Sequence, residues 1–451
     1  MAPKTEFPLH WQILLGLVAG AAAGLTARTL YPADADGTTH QTVEFVARNF
    51  AEPAGQIFLR LIFMVVVPLV FSALTLGVAG IGDIRSVGRL GLRALLLTVI
   101  LSSLSVVIGL TLANTVRPGE RLSPADRDLL REQYGSSQQK AVEQAQKARS
   151  LVETLLELIP KNPLQEMVGA LDGSSPGSGM LGVMVFSLIT GIAITLTPER
   201  TRPLVAVLEG VYDVAMVIIG MAMRIAPFGV AGLMFALSAR LGTQILVMLA
   251  WYVGTVLAGL ALQMFGVYSI VAAIAARMSP RRFFGQISEV LLTAFATSSS
   301  SATLPTALRV TETNLGVRRE VAAFVLTVGS TANQNGTALY EGLTVLFLAQ
   351  VFGVDLSASQ QMQVVLMSIL AGIGTAGVPG GSLPLVVLVM QQVGVPGEGI
   401  GIILGVDRLL DMCRTTLNVT GDILTAVCVD RMDRRVSDDA AVSPGTPAQQ
   451  N

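Results

Sequence analysis

Apolar segments long enough to cross a lipid bilayer recur along this chain, and they constrain its fold more than any other feature. A membrane helix needs about 20 mostly apolar residues. The early part of the chain meets that requirement near residues 11–30, 43–80, 89–115, 163–197, 203–238 and 244–276. We therefore expect an all-α polytopic membrane protein that lies in the cell (inner or plasma) membrane.

The composition agrees with a chain that resides in lipid. Hydrophobic residues make up 52% of the 451 residues and charged residues 14%, against about 25% charged in a soluble domain. The net charge of −1 gives no reason to expect a nucleic-acid partner. The histidines, His10 and His40, lie near the N-terminus, which argues against histidine catalysis or metal binding in the body of the protein. We expect no organic cofactor.

After residue 283 the apolar runs become shorter and are interrupted by Ser, Gly and Pro. Clusters of Lys and Arg lie at alternate ends of the spans, and the positive-inside rule places all of them on the cytoplasmic side. That placement requires residues 283–317 and 357–397 to enter and leave on one side. We therefore predict two re-entrant helical hairpins, with eight transmembrane helices around them.

The two interrupted regions resemble each other. Ser301–Pro305 is echoed by Gly380–Pro384, and an Asn-rich polar cluster follows each after about thirty residues. Paired hydrophobic segments broken by Gly and Pro indicate an inverted repeat with a binding site between its halves. The polar stretch from Arg117 to Lys161 reads as an external insertion, and the tail after Val436 as disordered.

The strongest local signal is a charged helical face in the last apolar segment. Asp411, Arg414, Thr415, Asn418 and Asp422 are spaced so that one face of a helix carries them all. A charge at the bilayer centre costs at least about 2.5–3.5 kcal/mol, so this face must line a polar cavity or pair internally. One interpretation is a structural Asp–Arg network. The other is a solute site, in which the Arg414 guanidinium binds a carboxylate and Asp411 binds an ammonium.

Two further segments are candidate hairpin tips. The serine run Ser298–Ser301 is framed by apolar residues, which favours a tip over a flexible linker. Its hydroxyl and backbone groups could contact a solute carboxylate. The segment Gly372–Gly381 reads as a second, unwound tip, with a helix-packing glycine cluster as the alternative. It lacks the Gly-Lys-Ser/Thr ending of a phosphate loop, which argues against nucleotide binding.

The pattern as a whole resembles the dicarboxylate/amino acid–cation symporter family, which includes the excitatory glutamate transporters and archaeal aspartate transporters. Four ordered motifs carry the resemblance, which extends from about Leu14 to Val429 apart from the insertion. They are Ser-Ser-Ser-Ser-Ala-Thr-Leu-Pro at 298–305, Asn-Gln-Asn-Gly-Thr-Ala-Leu-Tyr-Glu at 333–341, Gly-Val-Pro-Gly-Gly at 377–381 and the run from Asp407 to Asp422.

The resemblance implies a homotrimer in the lipid bilayer, in which each protomer moves a transport domain against a scaffold by an elevator mechanism. It also implies a secondary active transporter of acidic amino acids, L-aspartate or L-glutamate. The divisions that it implies are 1–80 scaffold helices 1 and 2, 81–116 third helix, 117–162 extracellular insertion, 163–243 scaffold helices 4 and 5, 244–282 sixth helix, 283–435 transport-domain core and 436–451 disordered tail.

The family's substrate contacts carry over to matching positions of this chain. Members that carry succinate-like acids usually lack a carboxylate at the position of Asp411, so its presence favours an amino acid over a plain dicarboxylate. The substrate-binding residues implied in this way are Arg414, Asp411, Thr415, Asn418, Thr337, Ser300, Val378 and Gly380.

The coupling ion is where the sequence departs from its family. Sodium-coupled relatives carry Asn-Met-Asp-Gly-Thr where this chain has Asn333-Gln334-Asn335-Gly336-Thr337. Sodium prefers oxygen ligands, and Asn335 keeps an oxygen but loses the charge. In an ungapped alignment the family's tyrosine and threonine ligands are replaced by Thr98 and Leu101, whereas Ser102 keeps its hydroxyl. We therefore expect this sodium site to be lost.

A second sodium site looks intact in the sequence, so sodium coupling with fewer ions per cycle stays open as an alternative. Glu341 occupies the position that resembles the proton-carrying glutamate of the excitatory transporters. It is either a proton carrier or a structural acid paired with an arginine. The retained sodium site consists of Gly329, Asn333, Asn418 and Asp422.

Other classes of function fit the residues less well. An intramembrane aspartyl protease would use Gly80–Asp83 and Tyr212-Asp213, but these short patterns are in reversed order and no Pro-Ala-Leu follows. An anion channel would conduct without uptake against a gradient. A solute sensor would need a signalling domain, and none follows Val436. We therefore expect a transporter and not an enzyme.

Overall fold

The computed structural model describes residues 9–32, 39–79, 88–121, 159–169, 180–374 and 382–442. Within these ranges the chain forms helices and no strand, which confirms the predicted all-α class. The helices of the first half are α1 Leu9–Leu30, α2 Gln41–Val46, α3 Glu52–Met64, α4 Val66–Ala79, α5 Gly88–Val116, α6 Pro163–Gly169, α7 Met180–Leu196, α8 Pro198–Leu241, α9 Gln244–Ala261 and α10 Tyr268–Ile274.

The second half is built from shorter helices. Short 3₁₀ or π-helical turns lie at Ala47–Ala51, Pro118–Arg121, Leu262–Val267 and Gly397–Ile402. The helices are α11 Pro280–Gln286, α12 Ser288–Thr297, α13 Ser300–Thr313, α14 Arg319–Ala332, α15 Asn335–Phe352, α16 Ala358–Gly374, α17 Leu383–Gln392 and α18 Leu404–Val442.

Several helices are long and apolar enough to cross a membrane. Those that meet this criterion among the described residues are Trp11–Leu30, Gly91–Arg121, Pro198–Leu241 and Gln244–Ile274. Many of their exposed side chains are large and apolar, as Phe228 and Ile274 illustrate with exposures of 74% and 73%. Such exposure suits lipid, because a bilayer solvates apolar side chains that water would not.

Two segments that the sequence indicated as single spans are divided in the structure. The span at 43–80 consists of α2, α3 and α4, with a turn at Val65 before α4. Pro68 has no backbone N–H to donate to the carbonyl four residues earlier, so one helical hydrogen bond is missing at this turn. The span at 163–197 consists of α6 and α7, and residues 170–179 between them lie outside the described ranges.

The helices pack in two groups. In the first, α1 and α3 lie along α8, and α4 packs against both α7 and α8. In the second, α15 packs against α5, α16 and α18, while α12, α13 and α14 all contact α18. The division into a scaffold and a moving transport domain stays a prediction.

The second group contains the irregular backbone that positions polar groups. Between α14 and α15, Asn333 and Gln334 leave the helical region with ψ of 65° and 61°. Between α12 and α13, Ser298 adopts the left-handed conformation with φ of 49°. The first break brings polar groups into hydrogen bonds with Asn418 and Asp422 of α18.

The sequence predicted less helix at two places than the structure contains. α16 continues to Gly374, past Gly372, where we expected an unwound tip, and residues 375–381 lie outside the described ranges. α18 extends to Val442, although disorder was expected after Val436. Most of the predicted 117–162 insertion also lies outside the described residues.

Candidate functional site

Arg414 is the centre of a buried charged cluster on α18. Its side chain is 1% exposed. Nη1 lies 3.1 Å from Oδ1 of Asp407, and Nη2 lies 2.8 Å from Oδ1 of Asp411. Spacings of three and seven residues place all three side chains on one face of the helix. The guanidinium therefore has two carboxylate partners within its own helix.

Tyr340 of α15 holds this cluster from the facing side. The Arg414 Cζ atom lies 3.9 Å from the centroid of the Tyr340 ring. The Tyr340 hydroxyl donates to Oδ1 of Asp407 at 2.7 Å. A cation over an aromatic face is attracted by the ring quadrupole, so Tyr340 contacts both members of the ion pair. Sequence reasoning missed Asp407 and Tyr340, although the seven-residue spacing between Asp407 and Arg414 is a signal that could have identified the first.

A second arginine contacts Asp411. Nη1 of Arg408 lies 3.4 Å from Oδ2 of Asp411. Arg408 precedes Asp411 by three residues, so both side chains emerge from the same side of α18. The sequence prediction assigned no role to Arg408. Its contact means that both carboxylate oxygens of Asp411 face a guanidinium group.

Asn418 connects α18 to the break between α14 and α15. Its side-chain oxygen accepts from the Gly336 backbone at 2.7 Å. Its nitrogen donates to the Thr337 hydroxyl at 3.2 Å and to the Gln334 side-chain oxygen. Gln334 in turn donates to the Ser330 carbonyl at 2.9 Å. The structure thus brings together the predicted contacts Asn418 and Thr337, one helical turn beyond Arg414.

Asp422, Asn333 and Gly329 meet at the end of α14. The Asn333 side-chain nitrogen donates to Oδ1 of Asp422 at 2.8 Å. A Cβ atom on Gly329 would lie 2.5 Å from the same oxygen, so only glycine fits there. The Asn333 oxygen is buried and has no hydrogen-bond partner among the described residues. An unused amide oxygen beside a carboxylate is the donor set that a hard cation prefers.

Asn335 has a different environment, in which both polar atoms of its side chain are hydrogen-bonded. Ser102 donates to the side-chain oxygen at 2.6 Å, and the side-chain nitrogen donates to the Tyr268 hydroxyl at 2.8 Å. Ser105 donates to the backbone carbonyl at 2.7 Å. The neighbouring positions Thr98 and Leu101 are also buried. The side-chain N–H group of Asn335 is a hydrogen-bond donor, and a donor in this position cannot serve as a ligand for a cation.

The serine run forms a tight turn and not a loose linker. Ser298 ends α12 in the left-handed conformation, and the Ser299 hydroxyl accepts from the Ala302 backbone at 3.2 Å as the cap of α13. Ser300 is 3% exposed. Because α12 and α13 both pack against α18, the turn belongs to the same bundle as the charged face. Thr415 is also buried there, and Val378 and Gly380 lie outside the described residues.

Glu341 is a buried acid on α15, directly after Tyr340. Its exposure is 0%. Neither carboxyl oxygen has a hydrogen-bond partner in the described part of the chain, and it forms no ion pair there. Removing a carboxylate from water without a partner is costly, and the neutral, protonated form avoids that cost. Both interpretations of Glu341 stay predictions, because the Arg414 charge also acts on this carboxyl group.

The sequence also matches known proteins along most of its length. The sequence model described as the sodium:dicarboxylate symporter family matches residues 9–432. The proton/sodium-glutamate symport protein of Bacillus subtilis is 34% identical over 430 residues, which cover 95% of this chain and 94% of that protein. The proton/glutamate-aspartate symporter of Escherichia coli is 32% identical and is covered to 94%. Human excitatory amino acid transporter 3 is 30% identical and is covered to 88%.

Proposed function

Because this chain belongs to the sodium:dicarboxylate symporter family, we propose that it is a secondary active transporter of the acidic amino acids L-aspartate and L-glutamate. The family and its characterised relatives are transporters and not enzymes, which removes the aspartyl protease alternative. One observation carries the substrate proposal. Arg414 is buried beside Asp411, on a face of α18 that continues to Asn418.

The charged cluster supports a binding site for a zwitterion with an extra carboxylate. Arg414 offers a planar fork that matches a carboxylate in bidentate geometry. Asp411 offers the opposite charge for an ammonium, one turn of helix away. We assign the distal carboxylate to Arg414 and the ammonium to Asp411. The remaining contacts that we propose are Thr415, Asn418, Thr337, Ser300, Val378 and Gly380.

Substrate binding would replace contacts that now lie within the protein. Arg414 is paired with Asp407 and Asp411, and an incoming carboxylate would share or displace one of these partners. The buried position makes the exchange selective, since a neutral side chain would leave the arginine without that partner. This argument favours a substrate whose side chain ends in a carboxylate.

We propose that sodium coupling is weakened or absent relative to sodium-driven members of the family. The neutral contacts of Asn335 with Ser102 and Tyr268 support the loss of one sodium site. The buried, unpartnered Glu341 supports a proton as the coupling ion. A carboxyl group without a fixed partner can gain and lose a proton without breaking a salt bridge.

A second candidate is sodium symport with fewer ions per cycle. The unused Asn333 oxygen next to Asp422 supports it, because these groups could bind one sodium ion together with the Gly329 carbonyl. Asn418 would need to turn to join them, since its side chain is now bonded to Gly336, Thr337 and Gln334. The two candidates therefore differ in which carboxylate, Glu341 or Asp422, takes up the coupling ion.

We infer the remaining architecture from membership of the family. We propose eight transmembrane helices with two re-entrant hairpins, built from α11–α13 and from α16–α17. We also propose a homotrimer in the cell membrane that works by an elevator movement of the transport domain. The buried serine turn and the break at Asn333-Gln334 support broken helices around a central site, because irregular backbone occurs at membrane depth only where it lines a cavity or protein.

Uptake into proteoliposomes tests the proposal. Purified protein would be reconstituted, and labelled aspartate uptake measured while sodium, proton and potassium gradients are imposed one at a time. We expect saturable accumulation driven by a proton gradient with choline in place of sodium. Accumulation that requires sodium would favour the second candidate. A flux that never exceeds equilibrium under any gradient would contradict active transport and indicate a channel.

A further inference from the structure

Asp411, the proposed ammonium partner, lies between two guanidinium groups. Arg414 contacts one carboxylate oxygen at 2.8 Å, and Arg408 contacts the other at 3.4 Å. An ammonium that approaches Asp411 therefore meets an oxygen already facing a cation. Arg414 is needed for the substrate carboxylate, which leaves Arg408 as the group whose role is unexplained.

The two contacts differ in ways that make Arg408 the exchangeable partner. Arg414 is 1% exposed and has a second carboxylate partner in Asp407. The Arg408 side chain is 13% exposed, and its contact with Asp411 is longer. A single long contact from a partly exposed side chain is weak and easily displaced.

We propose that Arg408 competes with the substrate ammonium for Asp411 and so sets how strongly the site prefers an amino acid over the matching amine-free dicarboxylate. This inference rests on the proposed function, because it needs a site that binds acidic amino acids. Aspartate must displace Arg408 from Asp411. Succinate has no ammonium, so it leaves the Arg408–Asp411 contact in place.

The net charges of the two ligands have to be taken into account in this comparison. Succinate carries two net negative charges near neutral pH and aspartate only one, so removing the Arg408 charge raises the ratio of the succinate dissociation constant to the aspartate dissociation constant by long-range electrostatics alone. Removing the Arg408 contact from Asp411 raises the same ratio further, because it benefits the ammonium of aspartate. The ratio is therefore compared at high salt, which screens long-range attraction but screens a contact between partly buried groups much less.

The experiment measures this ratio in purified full-length protein for the parent and for Arg408→Met and Arg408→Gln, which keep an extended side chain without charge. We expect the ratio to rise about fivefold in both variants, the upper end for a partly exposed ion pair. Arg408→Lys, which keeps the charge, should restore a ratio near that of the parent. Arg431→Met is the matched control, since Arg431 lies on the same helix and its side chain donates to the Arg277 carbonyl at 3.4 Å.

The possible outcomes distinguish a failure of the inference about Arg408 from a failure of the proposed function. An unchanged or lower ratio in an Arg408 variant that still binds aspartate would overturn the competition. The same rise in Arg431→Met would overturn it too, because distance from Asp411 would then not matter. Parent protein that binds neither aspartate nor succinate would contradict the proposed function itself. If one neutral variant does not fold, the other decides.

Discussion

The Tyr268 hydroxyl accepts a 2.8 Å hydrogen bond from the side-chain nitrogen of Asn335. Tyr268 belongs to α10 and Asn335 to the first turn of α15, so the bond joins two helices at the break after α14. Ser102 of α5 completes the set by donating to the Asn335 oxygen at 2.6 Å. Neutral, hydrogen-bonded groups from three helices thus occupy the position where the family resemblance led us to expect a carboxylate in sodium-coupled members.

Restoring that carboxylate should create a sodium requirement. In Asn335→Asp, Ser102 and Tyr268 can both donate to the new oxygens, but they do not cancel the charge. An uncompensated buried charge costs about 3–5 kcal/mol, so the variant should unfold at lower temperature in choline chloride. Sodium at about 100 times its dissociation constant would raise the free energy of unfolding of this variant by about 2.7 kcal/mol. Thermal unfolding in detergent, with sodium titrated against choline, measures the difference.

The controls for this prediction use the same site. Asn335→Asp combined with Tyr268→Phe removes a hydroxyl that could donate to the new carboxylate in the absence of sodium, so the combination should strengthen the response to sodium. The parent should respond weakly, through the Asn333 and Asp422 region alone. A parent protein whose midpoint rises with sodium as steeply as that of Asn335→Asp would contradict the loss of this site.

Much of the site could be predicted from periodicity. The spacing of Asp411, Arg414, Asn418 and Asp422 indicates that their side chains share one face of a helix. The asparagine-rich break was visible as a motif, although its location at Asn333-Gln334 required the backbone. Local spacing succeeds here because helix geometry fixes which neighbours share a face.

The partners from distant helices could not be predicted from the sequence. Tyr268 reaches Asn335 from 67 residues away along the chain, and nothing in its local pattern marks it among other apolar helix residues. Tyr340 was visible in a motif, but its contact with Asp407 depends on how α15 packs on α18. The proline-linked break before α4 was missed because hydrophobicity alone does not register a missing N–H donor.

Removing the Asp407 carboxylate should destabilise the protein more than removing the Tyr340 hydroxyl. Asp407→Asn leaves the buried Arg414 with fewer carboxylate partners, at a cost of about 3 kcal/mol. Tyr340→Phe keeps the ring over Arg414 and loses one hydrogen bond to a charged acceptor, about 1.5 kcal/mol. Thermal midpoints in detergent rank the variants. A Tyr340→Phe midpoint below that of Asp407→Asn would contradict this account of the cluster.

Replacing Arg414 should change substrate class. Arg414→Cys removes the proposed partner of the distal carboxylate, and losing one member of a buried charge pair typically costs about 2–5 kcal/mol. Aspartate and glutamate uptake should be abolished, while small neutral amino acids become competitors of any residual binding. In the parent, succinate should compete more weakly than aspartate, because it cannot pair with Asp411. Aspartate affinity within threefold of the parent in Arg414→Cys would show that the assignment is wrong.

Glu341→Gln should separate proton-driven uptake from substrate exchange. Glutamine has nearly the same shape as glutamate but cannot ionise, and neither Glu341 oxygen has a described partner to lose. Exchange of external for internal aspartate needs only the loaded carrier to move, so it should continue. Net accumulation needs a proton to be taken up on one side and released on the other, so it should stop. Labelled aspartate uptake under a pH gradient, beside exchange at uniform pH, measures both.

A matched exposed acid controls for the loss of a carboxylate in general. Glu289 on α12 pairs with Arg309, and the two side chains are 58% and 54% exposed, so Glu289→Gln should leave both activities near the parent level. In the parent, exchange should vary with external pH, because the protonation state of Glu341 changes between loading and release. In Glu341→Gln this variation should flatten. If proton-driven accumulation persists in Glu341→Gln, another group takes up the coupling ion, and Asp422 becomes the next candidate.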